Sequence, residues 1–118
     1  MQGTKIVLYS LVAGLFLSFN GCTKDKVGGG VTPNCTDTVS FNQEVLPIIQ
    51  AHCSGCHGSG NGTGYTLEDY SSVSTNASAV LGSMKGNGYQ LMPIGGPGLP
   101  DSVIQKVECW MLQGKKNN

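Results

Sequence analysis

Cys53-Ser54-Gly55-Cys56-His57 is the stretch on which the reading of this 118-residue chain turns. Two thiols separated by two residues, with a histidine directly after the second, form the spacing of a covalent haem attachment. A turn of chain sets Cys53 and Cys56 along one haem edge, where their thiols add to the vinyl groups, and the next residue swings His57 under the metal. Two other readings use the same residues. A redox dithiol shares the Cys-x-x-Cys spacing, but it opens a helix that follows a strand, and no period-two pattern precedes Cys53. A structural zinc site would need Cys53, Cys56, His57 and one of His52, Cys35 or Cys109, and no second paired motif supplies the fourth ligand. Haem attachment is the reading these residues favour. His52, beside Cys53, is expected to be exposed or hydrogen-bonded rather than ligating.

An electron-carrying haem needs a second axial ligand, and the methionines downstream of the motif are Met84, Met92 and Met111. Met111 falls on the apolar face of a predicted helix and Met84 follows Val80 and Leu81 at helical spacing, so both are expected in the core. Leu91-Met92-Pro93 lies in a Gly-rich loop, where Pro93 limits the conformation of Met92 and an extended segment can present its sulfur to iron. Methionine with histidine is a known axial pair for such haems.

Outward from the motif, the pattern predicts helices. Ser40 followed by Gln43 fits a capping box, and Phe41, Val45, Ile48 and Ile49 then share one face, with Pro47 forcing a kink or restart. Near the other end, Val103, Ile104, Val107, Trp110 and Met111 recur at helical spacing, with Asp101 in the first turn and Gly114 beyond the last. Leu67–Tyr70 and Ala77–Met84 are read as short helices, and no strand pattern emerges, so the expected fold class is all-α. Trp110 is read as a packing residue.

Upstream, Lys5 precedes an apolar run from Ile6 to Phe19 that ends at Asn20-Gly21-Cys22. As helix that run spans only ~21 Å, short of the ~30 Å hydrocarbon layer, so residues 1–21 read as an export signal rather than a membrane-spanning anchor. Gly21-Cys22 resembles the end of a bacterial lipoprotein signal of the Bacteroidetes type, which implies acyl chains on Cys22 and an exported protein tethered to a membrane. Residues 22–34, with Gly28-Gly29-Gly30 and Pro33, read as a flexible linker. Residues 35–118 form the folded domain. The chain has 7 lysines, no arginine and 7 acidic residues, which leaves no basic surplus for a nucleic-acid partner. A domain this short has no room for a large enzyme core.

Taken together, Phe41, Val45-Leu46-Pro47-Ile48, Cys53 to Gly58, Leu67-Glu68-Asp69-Tyr70, Met92-Pro93, Gly95-Gly96, Leu99, Ile104, Trp110 and Gly114 resemble a single-haem, class I cytochrome c domain over 35–118. The resemblance implies a small fold in which N- and C-terminal helices cross around one covalent haem c, bringing Ile49 or Val45 against Val107 and Trp110. It also implies His57 and Met92 as axial ligands. One departure stands out: many relatives have a proline soon after the motif whose carbonyl orients the axial histidine, and Gly58–Gly64 (GSGNGTG) has none. Some backbone carbonyl of that segment must then accept from the His57 ring.

Five cysteines, less Cys22 for lipid and Cys53 with Cys56 for haem, leave Cys35 and Cys109. The expectation is a disulfide between them, two buried free thiols being the alternative. With both axial positions filled, the expected function is transfer of single electrons between membrane-associated redox proteins, as a free carrier or as a subunit of a larger complex. If Met92 does not bind, a five-coordinate haem for peroxide reduction or gas sensing is the alternative. No distal arginine exists to serve peroxide chemistry.

Overall fold

The computed structural model describes residues 33–118, so the expected signal peptide, Cys22 and the linker as far as residue 32 lie outside the described residues. Regular structure in the described part is helical throughout: a π-helical turn Phe41–Val45, then α1 Leu46–His52, α2 Ser54–His57, α3 Tyr70–Thr75, α4 Ala77–Lys85 and α5 Asp101–Leu112. Among the described residues there is no strand, and no helix is long and apolar enough to cross a membrane.

The start of the first helix shows how Pro47 is accommodated. Ser40 Oγ accepts from the Gln43 N–H at 3.3 Å, as the spacing predicts. The return bond differs: Glu44 Oε2, not Gln43, accepts from the Ser40 N–H at 3.0 Å. A wide turn, in which the Leu46 N–H reaches Phe41 O, adds a residue before the α-helix proper and moves the returning side chain one place along. Pro47 lacks an N–H and its ring crowds the carbonyl four residues back, so a widened turn followed by a fresh α-helical start places it in the tolerant first turn of α1. The remaining N–H groups at this end are met by Asn118, whose backbone oxygen accepts from Asn42 at 2.9 Å and whose Oδ1 accepts from Phe41 at 3.0 Å.

The face predicted from period 3.6 is the face that is buried. Phe41, Val45, Ile49, Val107 and Trp110 are each at most 1% exposed, with Val103 and Ile104 half-buried, and Val73, which no predicted helix included, joins them at 0%. Phe41 meets Trp110 with ring centroids 5.4 Å apart and Tyr70 edge-on at 5.2 Å, so the first and last helical segments share an aromatic centre. Fully burying each such side chain contributes ~1.5–3 kcal/mol. The polar ends of the rings are answered by the chain beyond α5, which turns at Gly114 (φ 91°): Trp110 Nε1 donates to Lys116 O and the Tyr70 hydroxyl to Lys115 O, both at 2.9 Å. Ile48 and Met111 are partly buried beside this core.

A disulfide and two ion pairs complete the frame. A disulfide joins Cys35 to Cys109 across 74 residues, with Cα atoms 5.3 Å apart, and fixes the start of the domain to α5. Lys106 pairs with Glu44 at 2.7 Å and Lys85 with Glu108 at 2.5 Å, both partly exposed and each a small contribution. α4 covers the predicted Ala77–Met84 and ends at Gly86 in the left-handed region (φ 62°). The predicted Leu67–Tyr70 helix is displaced: Asp69 is the cap, its carboxylate accepting from Ser72 N–H at 2.8 Å, and α3 begins at Tyr70. Leu67 is instead buried, its N–H given to His57 O at 2.7 Å.

Candidate functional site

The Cys53–His57 segment sits where α1 breaks and α2, a single turn, begins; Cys53 (φ −122°) is the joint between them. Two bonds anchor the segment to Leu67: the Leu67 N–H to His57 O already described, and the Ser54 hydroxyl to Leu67 O at 2.9 Å. Gly58 follows in a place with no room for a side chain, since a Cβ there would stand 2.7 Å from Ser54 O and 3.0 Å from Glu68 Oε1. Asn61 then returns its amide to Gly55 O at 3.2 Å, folding the Gly-rich stretch back on the motif.

Cys53, Cys56, His57 and Met92 line one cavity of about 680 Å³. Leu67, Val80, Met84 and Leu99 form much of its apolar wall, and none of the lining residues is an Asp, Glu or Lys. Burial pushes the Cys53 thiol up from its usual range, which keeps it protonated at neutral pH, while Cys56 is exposed. His52 is exposed at the same cavity, as expected.

The orientation of His57 follows from its ring contacts. Nδ1 lies 3.2 Å from Tyr65 O and 3.1 Å from Thr63 Oγ1. A carbonyl oxygen only accepts, so Nδ1 carries the proton and Nε2 keeps a free lone pair, the tautomer a metal ligand requires. The orienting carbonyl is therefore one residue beyond the Gly58–Gly64 segment in which it was expected. The reason is local: Thr63 Oγ1 lies within 3.3 Å of Cys56 O and 3.2 Å of Tyr65 O, and so gathers the end of the loop onto the ring. A proline is not needed there.

Of the three methionines, Met111 does not line the cavity, whereas Met84 and Met92 do. Met84 is 3% exposed and also belongs to the core, in keeping with its expected packing role. Met92 lies in a bend, its peptide bond to Pro93 cis, rather than in an extended segment, and its N–H donates to Ser83 O at 3.0 Å. Thr63, Tyr65, Ser83 and Tyr89 complete the site and were not singled out in the sequence. Only Thr63 and Tyr65 had a signal, as the polar and aromatic residues next to an otherwise glycine-filled stretch.

The donor set suits a covalent haem. The volume is within the ~300–1,000 Å³ usual for cofactor pockets. Two thiols three residues apart, an imidazole whose Nδ1 faces a carbonyl and a thioether share one cavity without Asp, Glu or Lys. Zinc fits less well, because Cys35 and Cys109 are spent in the disulfide. Among the described residues no group of three or more His, Cys, Asp or Glu side chains is disposed to hold a metal ion. No known protein family, curated protein or solved structure matches the chain.

Proposed function

We propose that the chain is a single-haem c-type cytochrome, with its first and last helices crossing in the class I manner, that carries single electrons between redox proteins at a membrane. The observation that carries this reading is the convergence of Cys53, Cys56, His57 and Met92 on one uncharged cavity, with the His57 tautomer committed by Tyr65 O. When bound, haem c supplies a one-electron ferric–ferrous couple. Cys53 and Cys56 would hold it through thioether bonds, and His57 Nε2 and the Met92 sulfur would be the side chains that ligate its iron. With both side chains ligating, oxygen or peroxide would find no open site, which favours a carrier over an enzyme. The apolar wall excludes water and disfavours the ferric charge, and both effects, with methionine ligation, raise the potential.

Partners meet the cavity mouth, where Tyr65, Tyr89 and Ile94 are 60%, 52% and 73% exposed. A mouth without formal charges steers partners weakly, so a membrane tether through lipid on Cys22 would raise the encounter rate by proximity instead. The test is the absorption spectrum of the purified ferric protein and of Met92→Ala. Covalent, low-spin haem with the weak far-red band of sulfur-bound iron, lost in Met92→Ala, supports the carrier. High-spin haem in the parent overturns it in favour of ligand binding or peroxide chemistry, and absence of covalent haem overturns it altogether.

A further inference from the structure

Glycine is disfavoured inside a helix because it gives up more backbone freedom than alanine, yet Gly82 stands in the middle of α4. Its surroundings explain it. A Cβ on Gly82 would lie 2.7 Å from Tyr89 Cε2 and still nearer Cδ2, and 3.2 Å from Asn87 O, so the Tyr89 ring occupies the place a side chain would fill. The contact belongs to a short clasp. Asn87 N–H donates to Gly82 O at 2.9 Å, and Met92 N–H donates to the next carbonyl, Ser83 O, at 3.0 Å. Between those bonds the loop has little else: Gly88 and Gln90 are exposed, Leu91 is 38% exposed, and Tyr89 is the residue that both rests on α4 and lines the cavity.

We propose that Tyr89, seated on Gly82, is the latch that holds the Asn87–Met92 loop to α4 and so positions the Met92 sulfur at the iron. This rests on the haem reading above, and Tyr89 acts through Met92 as a positioning residue. With the latch seated, Met92 competes well for its axial position. With the ring displaced, the loop keeps two backbone bonds and the Leu91 side chain beside Gly86, and it opens more often, which would let a small external ligand reach the iron.

The experiment uses the full haem-loaded protein as parent, Tyr89→Ala, Tyr89→Phe, Gly82→Ala and Met92→Ala. Two quantities are read: the rate at which imidazole binds the ferric protein, and hydrogen exchange at the Asn87 and Met92 amides. Tyr89→Ala and Gly82→Ala are expected to raise both by about tenfold, the size of one lost ring contact. Tyr89→Phe keeps the ring and stays near the parent. Gly82→Ala improves helix propensity and displaces only a half-exposed ring, so far-UV dichroism unchanged from the parent separates the latch from misfolding. Parent-like imidazole and exchange rates in both Tyr89→Ala and Gly82→Ala, with the far-red band still dependent on Met92, overturn the latch alone. A parent without covalent haem, or a band that survives in Met92→Ala, overturns the haem reading and the latch with it.

Discussion

Replacing Cys35 and Cys109 together by alanine tests the frame of the domain independently of any cofactor. The bond closes a loop across 74 residues, nearly the whole described chain. In the chain-entropy treatment, releasing a loop of that length loosens the unfolded state by about 4.5 kcal/mol at 25 °C. The proposed haem attachment would not shorten the loop, because Cys53 and Cys56 are only three residues apart. Cys109 is 3% exposed, so trading its sulfur for a methyl adds a little lost packing in the same direction. Against a total of about 5–15 kcal/mol for a small domain, this is a large share. At ~4–8 °C per kcal/mol for a domain of this size, the melting temperature is expected to fall by roughly 20–35 °C. The assay is thermal and urea unfolding of parent and double variant, and the urea slope should rise as well, since an unlinked unfolded chain exposes more surface. A loss below about 1 kcal/mol with an unchanged slope would refute the reasoning, because the unfolded ensemble would then gain nothing from release of the loop.

Gly58→Ala should cost about 1–3 kcal/mol in thermal unfolding, since the added methyl meets Ser54 O at 2.7 Å and neither backbone nor the bonded Glu68 carboxylate yields freely; a melting curve equal to the parent's would show that this turn adapts. The Lys106 ammonium and the Ser40 N–H hold the Glu44 carboxyl below its ordinary 4.5, and the Ser72 backbone and hydroxyl hold Asp69 below 3.8. Both groups therefore add stability that is complete above those ordinary values and is lost as pH falls through the lower folded ones, a modest effect for exposed pairs. Melting temperatures between pH 7 and 3 should decline less steeply in Glu44→Gln combined with Asp69→Asn, and identical slopes would remove both groups from the acid response. Electron exchange with a soluble redox partner should vary by less than about threefold between low and physiological ionic strength, given the uncharged cavity mouth; a steep salt dependence, measured by stopped flow, would place docking on another face.

Local pattern carried those features that are locally caused. α5 was legible because Val103, Ile104, Val107, Trp110 and Met111 repeat at 3.6 and Gly114 ends them, and the structure starts and stops that helix at Asp101 and Leu112. That Cys53, Cys56, His57 and Met92 share one cavity was legible because the first three stand at a spacing that matches attachment chemistry and because Pro93 marks Met92 as a loop residue. What was missed has two kinds of cause. Asp69 with Ser72 is a capping signal that lay in the sequence, and it outweighed the apolar Leu67 in setting the start of α3. The Tyr65 carbonyl at His57 had no trace beyond its residue's place at the end of the Gly-rich stretch, because a backbone oxygen is identical in every residue, and the Tyr89 ring on Gly82 had none, because a seven-residue return contact follows no period.

The described domain divides its work between two ends, and this division explains how so sparse a hydrophobic inventory sustains a large cavity. Phe41, Val45, Ile49, Val107 and Trp110 form a dense centre that the disulfide, the Asn118 cap and the Lys115–Lys116 backbone all close upon. None of those five side chains lines the cavity; of the buried core residues Leu67, Val80 and Met84 do, with Cys53 and Leu99 from its partly buried margin. The cavity end sets a single helical turn and two loops against one face of α4, pinned at Leu67, Tyr65 and Ser83 by individual hydrogen bonds. Individual bonds contribute about 1 kcal/mol each and set direction, whereas close packing supplies most of the stability. Under the proposed reading, a chain that presents two thiols, an imidazole and a thioether to one flat group gains by keeping the two tasks apart. Side chains can then be aimed at the cavity without disturbing the contacts that keep the domain folded, and atoms of the proposed haem would complete the packing that the cavity walls lack.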